Sequence, residues 1–281
     1  MSNKLVSVIV PTFNRSHIIS KTLPTYIQEN VLELIVIDDY STDNTEEIIQ
    51  DLQHKYPLIK YYRSPIKLRQ TGAKNIGIKM AKGNFIYFGD DDSVLKKDSI
   101  KNLLAVANSN VNSIIGVRHI YMKEEDNLQE ILLDDYEPLT DHNLVFDPTN
   151  LKLDLRFKLD KIIEIPFCQA CMLIPSKIIQ ENLFHTNFIG TCYREETDFV
   201  MQLAAKGHKI LLDNYSLQVN LPKSQSSGGI RSVNSIYRHF SEVVNEYIFY
   251  RRNKYYIQSI SKINTVPIVR SFAHLFNKLK K

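Results

Sequence analysis

Residues 85–93 read Phe-Ile-Tyr-Phe-Gly-Asp-Asp-Asp-Ser. The four apolar residues have the composition of a buried strand, and one glycine separates them from three consecutive aspartates. Adjacent carboxylates repel by roughly 1 kcal/mol at 4 Å in water and by about 4 kcal/mol at a protein-like dielectric. Stability gives no reason to place such a group at a sheet edge, whereas a divalent cation does. Mg²⁺ or Mn²⁺ is held by one or two carboxylates and completes its shell with water and substrate phosphates. The plainer alternative is an acidic turn that caps the next helix.

Outward from this stretch, short apolar runs alternate with helical patterns, which is the signature of a parallel sheet with crossover helices. Strands are expected at 6–10, 34–37, 59–62, 85–88 and 114–117. Helices are expected from 18 to 27 with a kink at Pro24, from a capping-box-like start at Asn44 and Glu47, and over 71–81 and 98–107. Residues 122–161 lose this rhythm and read as a loop-dominated insertion. Strands return at 162–165, 170–174 and 209–212, with a helix over 195–206 closed by Gly207. A Ser/Gly-rich stretch at 222–229 precedes a long aromatic helix. The fold class is α/β: a mixed, mostly parallel sheet flanked by helices, with a helical C-terminal extension. The division is 1–232 for the main domain (1–117 binding the donor, 118–232 completing the site) and 233–281 for the extension.

The chain has 281 residues, 43% hydrophobic and 23% charged, with a formal net charge of +4. That is enough for one large domain, and the mild positive balance with no arginine-rich stripe argues against nucleic acid as a partner. Three cysteines, an odd number, suggest a reducing compartment. Cys168 and Cys171 form a CxxC with no second pair to complete a zinc site, and their apolar flanks read as buried strand. The start of the chain leads directly into a strand, so no leader is expected, and no apolar run approaches the roughly 20 residues of a membrane span. The expected location is cytoplasmic, at most at the inner face of a membrane. The basic, amphipathic tail 266–281 is equally readable as a peripheral membrane contact or as a core-packing helix.

In an open α/β sheet, ligands sit outside the carboxyl ends of the strands. Four clusters lie there, at 11–15, 38–43, 69–75 and 90–92. The first loop lacks the glycines of a dinucleotide fingerprint, and there is no Walker A loop. Pro11, Thr12, Asn14 and Arg15 are instead candidate donor contacts, with Thr12 and Asn14 suited to a base or ribose. Asp38 or Asp39 suits the N–H of a uracil, Arg69 or Lys74 a phosphate, and Asp90 with Asp92 the bridging metal. Together they describe a site for a nucleoside diphosphate plus cation.

The stretches SVIVPTFNR (7–15), VIDDYSTDNT (36–45), RQTGAKNIGIKMAKG (69–83), FGDDDS (88–93) and YREETDFVMQLAAKGHKI (193–210) resemble, in order, those of the GT-A family 2 glycosyltransferases. The resemblance implies metal-dependent, inverting transfer of a sugar from a nucleotide sugar, often a UDP-sugar, to an acceptor hydroxyl on a glycan or lipid-linked glycan. It implies that Thr12 and Asp39 contact the nucleoside and that Arg69 lies at the uracil or diphosphate. Asp92 would bind Mn²⁺ or Mg²⁺ directly, and Asp91 would face the ribose or donor sugar. Many relatives carry a metal-ligating histidine where this chain has Asn220, which still offers a carbonyl oxygen or leaves that position to water. A sugar nucleotidyltransferase is a rival, although it needs a Gly-rich, Arg-containing first loop. A catalytically silent nucleotide-sugar-binding protein is another.

Inverting transfer needs a base on the face of the anomeric carbon opposite the diphosphate, so base and metal come from different loops. Glu195, Glu196 and Asp198 are the candidates. At about 100° per residue, Glu196 projects near the centre of the apolar stripe of Phe199, Val200 and Leu203, with Glu195 and Asp198 off its edge, toward solvent or backbone amides. Glu196 is the first choice and Asp198 the second. Acids in a first helical turn are also favoured by the helix dipole alone.

Overall fold

The computed structural model describes residues 5–168, 171–227, 235–261, 263 and 266–270. Its elements in chain order are β1 (Val6–Thr12), α1 (Ile19–Thr22), β2 (Val31–Asp38), α2 (Thr45–Lys55), β3 (Ile59–Arg63), α3 (Arg69–Met80), β4 (Phe85–Phe88), β5 (Ser93–Leu95), α4 (Ser99–Ser109), β6 (Ile114–Tyr121) and α5 (Leu128–Leu133). There follow β7 (Phe146–Asp147), β8 (Lys152–Leu153), β9 (Ile163–Glu164), β10 (Met172–Pro175), α6 (Ser176–Gln180), α7 (Glu195–Ala205), β11 (Ile210–Asn220) and α8 (Ser235–Ile260).

The main sheet has the order β3-β2-β1-β4-β10-β6-β11-β5, with β9 beside β11. Pairs among β3, β2, β1 and β4 are parallel. β10 is antiparallel to both β4 and β6. Alternate residues of each central strand enter cores on opposite faces: Ile9, Ile35, Ile86 and Phe88 on one, Val8, Val10, Val36 and Tyr87 on the other. Burial on both faces is why these strands read as near-continuous apolar runs. It also leaves all four sequence clusters at the carboxyl edge.

Close packing fixes α3 against β1. A Cβ at Gly77 would stand 2.5 Å from Ile9 Cγ2. Gly77→Ala is therefore expected to be destabilising by about 1–3 kcal/mol through overpacking, outweighing the roughly 0.5–1 kcal/mol that alanine contributes to a helix interior. A fall in melting temperature on thermal denaturation checks this.

Three local features differ from the expectations. Helix α2 starts at Thr45, but Asn44 makes no side-chain cap; Asp43 accepts from the Thr45 backbone N–H at 3.1 Å and from its hydroxyl. The strand expected at 209–212 continues to Asn220 through a bulge at 213–216, where Asp213 accepts the Ser216 N–H at 2.7 Å. That bulge is the reason the strand reads as ending early. The insertion 122–161 contains α5 and the β7–β8 hairpin, and it is pinned by Arg118, which makes two bonds to the Asp134 carboxylate at 2.8 and 3.0 Å while fully buried. The amphipathic tail expected at 266–281 lies largely in 271–281, outside the described residues. Among the described residues, no helix is long and apolar enough to cross a membrane.

Candidate active site

The acidic triplet is held by its backbone. The Tyr26 hydroxyl accepts from the Asp90 N–H at 3.1 Å and donates to the Asp90 carbonyl at 2.9 Å. Thr22 Oγ1 donates to the Asp91 carbonyl, and the Leu221 N–H donates to that of Asp92. The lone glycine before the triplet follows from this, since a Cβ at Gly89 would meet the Tyr26 ring at 2.7 Å.

The three carboxylates diverge. Asp90 Oδ2 accepts from Gln218 Nε2 at 3.3 Å and lies 3.7 Å from Cys171 Sγ. Asp91 and Asp92 both face Arg15, at 3.2 and 3.3 Å. Arg15 also donates through Nη1 to the carbonyls of Ser226 and Ser227, which ties the start of the Ser/Gly stretch to the first loop. Burial, with Glu196 and Asp92 adding negative charge, pushes the Asp90 carboxyl up to about 7. Burial pushes Asp91 up to about 6, against the pull of Arg15.

A continuous cleft passes these groups. One part of it is lined by Pro11, Thr12, Arg15, Asp39, Arg69 and Asp91, together with Phe13, Lys67, Gln70, Gly190 and Thr191. Its other part adds Asp90, Asp92, Tyr121, Tyr193, Arg194, Glu195, Glu196 and Asn220. Asp39 accepts the backbone N–H groups of Leu68 and Arg69, and burial raises its pKa against those two bonds. Arg69 itself has φ of 61°, an uncommon conformation for a side chain of that size that the Asp39 carboxylate secures.

On the facing helix, Glu195 and Glu196 share one cation. Lys74 Nζ stands 2.9 Å from Glu195 Oε1 and also contacts Glu196 Oε1. The lysine is 1% exposed and Glu195 5%, whereas the Glu196 side chain keeps 20% of its surface. Burial first, then the neighbouring Glu196, pushes the Glu195 carboxyl up to about 8.

The donor chemistry of the cleft fits a hard divalent cation. Asn220 Oδ1 is buried and has no hydrogen-bond partner among the described residues. Its backbone pairs with Ser93, next to Asp92. Carboxylate and amide oxygens suit Mg²⁺ or Mn²⁺ better than a softer ion. Among the described residues, no three His, Cys, Asp or Glu side chains converge to hold a metal by themselves. The set therefore suits a cation that takes a few protein oxygens and finishes its shell with phosphate and water.

The model of glycosyl transferase family 2 matches residues 7–181, more than half of the chain. The chain belongs to glycosyl transferase family 2. A relative in that family's activity class, the Campylobacter jejuni GalNAc(5)-diNAcBac-PP-undecaprenol beta-1,3-glucosyltransferase, is 35% identical over 128 residues, 44% of this chain and 41% of that protein. Escherichia coli WfgD, a UDP-Glc:alpha-D-GlcNAc-diphosphoundecaprenol beta-1,3-glucosyltransferase, is 34% identical over 96 residues, 34% of this chain and 37% of its own. The matched segment is thus less than half the length of each of these relatives. The fold is that of solved GT-A structures. Staphylococcus aureus TarS in complex with UDP-GlcNAc superposes with a TM-score of 0.63 at 16% identity, over 97% of this chain and 72% of that one. The Pyrobaculum calidifontis mannosyltransferase PcManGT, solved with GDP-Man and Mn²⁺, gives 0.59 at 15% identity, over 96% and 68%.

Within this family 2 chain, the structure separates the residues singled out from the sequence. Pro11, Thr12, Arg15, Asp39, Arg69, Asp90, Asp91, Asp92, Glu196 and Asn220 all line the cleft. Asn14 does not: its amide clips to Thr42. Asp38 is taken up by the Ser41 N–H and the Tyr61 hydroxyl, each at 2.8 Å. Lys74 faces the glutamates and is too deeply buried to serve as a surface phosphate ligand. Asp198 is 1% exposed and binds Arg252 Nε at 3.0 Å and Asn253 Nδ2 at 2.7 Å, both from α8. It points to the α7–α8 contact instead of the cleft. Asp198→Asn is expected to lower stability by about 1–3 kcal/mol and to leave nucleotide affinity unchanged, as thermal denaturation and a UDP titration would report. Sequence reasoning passed over Thr191 and Tyr121 and took in Gln70 only as part of the 69–75 cluster; Thr191 had a signal in the glycine beside it, Gly190.

Proposed function

We propose that this chain transfers a sugar from a nucleoside-diphosphate sugar, a UDP-sugar first, to a hydroxyl of a glycan or lipid-linked glycan, with inversion and with a divalent cation. The observation that carries this reading is that the Glu196 carboxylate and the acidic triplet come from separate elements and open onto one cleft. The undecaprenol-linked acceptors named for two relatives support the acceptor class. Residues 1–117 act as the donor half and 118–232 as the acceptor half of one catalytic body, with 233–281 as its extension.

Thr12, Asp39 and Arg69 orient the nucleoside and diphosphate; each oxygen of Asp39 keeps a lone pair beyond the backbone amide it accepts. Asp90, Asp92 and Asn220 would hold Mg²⁺ or Mn²⁺, which supplies positive charge at the leaving diphosphate. Arg15 fixes Asp91 and Asp92 and connects them to the segment at Ser226 and Ser227. Glu196 takes the proton of the acceptor hydroxyl as its oxygen bonds to the anomeric carbon. The bond to the diphosphate breaks on the opposite face, and its electron pair leaves with the phosphate oxygen.

A thermal-shift panel of UDP-, GDP-, CMP- and dTDP-sugars, with and without Mn²⁺, tests the donor assignment. Stabilisation by UDP-sugars that requires Mn²⁺ is expected. Stabilisation with no transfer and no donor hydrolysis would mark a silent binding protein.

A further inference from the structure

Lys74 lies in the middle of α3, a position whose neighbours Ala73, Gly77 and Ile78 are core residues. An ammonium there loses its hydration, which costs several kcal/mol unless it is closely paired. Its partners lie 121 and 122 residues away, at Glu195 and Glu196, and its charge lies 5.9 and 5.3 Å from the ring centroids of Phe88 and Phe184. A methionine or leucine would fill the same space but would leave the buried Glu195 without its counter-charge, so packing does not account for a lysine.

The surroundings of Glu196 do. On its own helix stands Glu195. Asp90 acts on it from the end of β4, Tyr121 from the end of β6, and Cys168 and Cys171 from the segment entering β10. Each of these is neutral or negative. Among the described residues, Lys74 is the cation that Glu196 pairs with. Burial and like charge both favour the protonated form of a carboxyl, and a protonated carboxyl cannot take the proton of an acceptor hydroxyl.

We infer that Lys74 is a positioning residue for the transfer: its buried ammonium bridges Glu195 and Glu196 and holds the Glu196 carboxylate ionised and oriented toward the acceptor. This rests on Glu196 being the base. Glu195 anchors the other side of the lysine, so the three side chains set the geometry together.

Carboxyl NMR of the full chain labelled with ¹³C-glutamate, with the Glu196 resonance assigned from Glu196→Gln, reads the titration without any substrate. Lys74→Met, which removes the adjacent ammonium, is expected to move it upward. Lys74→Arg, which keeps the charge, should hold it near the wild-type position. Glu195→Gln removes an acid and should leave it in place or lower it. The acidic limb of donor hydrolysis, followed as UDP release from UDP-glucose or UDP-N-acetylglucosamine with Mn²⁺, should move in the same directions. An unmoved resonance in folded Lys74→Met overturns the inference. So does an upward move in Glu195→Gln, because a disturbed helix and not lost charge would then be the cause. If Lys74→Met does not fold, a large upward shift in Lys74→Arg is the overturning result. Retained UDP release in Glu196→Gln would instead remove the base assignment, a failure separable from the charge effect that NMR reads.

Discussion

Glu196→Gln is expected to lower kcat by about 10²–10⁴-fold, the usual contribution of a positioned general base, with UDP-sugar affinity in Mn²⁺ unchanged. The substitution keeps the volume of the side chain and leaves an amide oxygen to accept from Lys74, so the helix entrance has little reason to move. What it removes is the capacity to take a proton. Glu196 retains solvent-accessible surface on the cleft, whereas Asp198 is bound to Arg252 and Asn253. The paired comparison is therefore informative: Asp198→Asn should lose stability and keep turnover per folded molecule, and Glu196→Gln should do the reverse. Steady-state kinetics on both variants, normalised to the folded fraction, decides it. Equal losses of turnover would remove Glu196 from the chemistry.

The acidic triplet, its strand and the parallel half of the sheet were legible because each depends on local pattern. Residues 85–88 are buried on both faces and read as an unbroken apolar run, and the strands beside them obey the same rule. The faces of α7 were only half legible. Periodicity along one helix identifies the stripe that meets the sheet, and it placed Glu195 and Asp198 toward solvent. Asp198 is buried because α8 covers α7 and brings Arg252 and Asn253 to it, and Glu195 because it turns to Lys74 on α3. Lys74 misled for a related reason. A lysine near the start of a helix at a phosphate-binding edge looks like a phosphate ligand, and the two acids that make its burial tolerable lie more than a hundred residues away. Asp38 ends β2 and Asn14 lies in the loop after β1, positions where side-chain oxygens serve either a ligand or the turn itself. The Ser41 and Thr42 amides take them.

Asp90→Asn should separate function from stability. With Mn²⁺ and a UDP-sugar, activity is expected to fall by about 10²–10³-fold, the scale of losing one preorganised charge at the site of reaction. Without metal, the same variant should be more stable than the parent, and increasingly so as pH rises. The folded Asp90 carboxyl sits at about 7, raised by burial and then by Glu196 and Asp92, above an unfolded value of about 3.9. A group raised on folding contributes stability that is complete below its unfolded pKa and is lost as pH climbs through the folded one. The parent therefore forfeits stability between about pH 4 and pH 7, at about 1.4 kcal/mol for each unit of displacement. Asparagine has no proton to lose and escapes that loss. A gain of up to about 4 kcal/mol at pH 8 follows from that displacement of about three units, at roughly 2–4 °C in melting temperature per kcal/mol for a chain of this class, with little difference at pH 4. Adding Mn²⁺ with UDP should invert the order under the proposed role of Asp90 as one of the oxygens that would hold the cation. Differential scanning at pH 5 and pH 8, in chelator and then in Mn²⁺ with UDP, measures all of these terms. A parent that is more stable than the variant in chelator at pH 8 would show that the Asp90 carboxylate belongs to the scaffold.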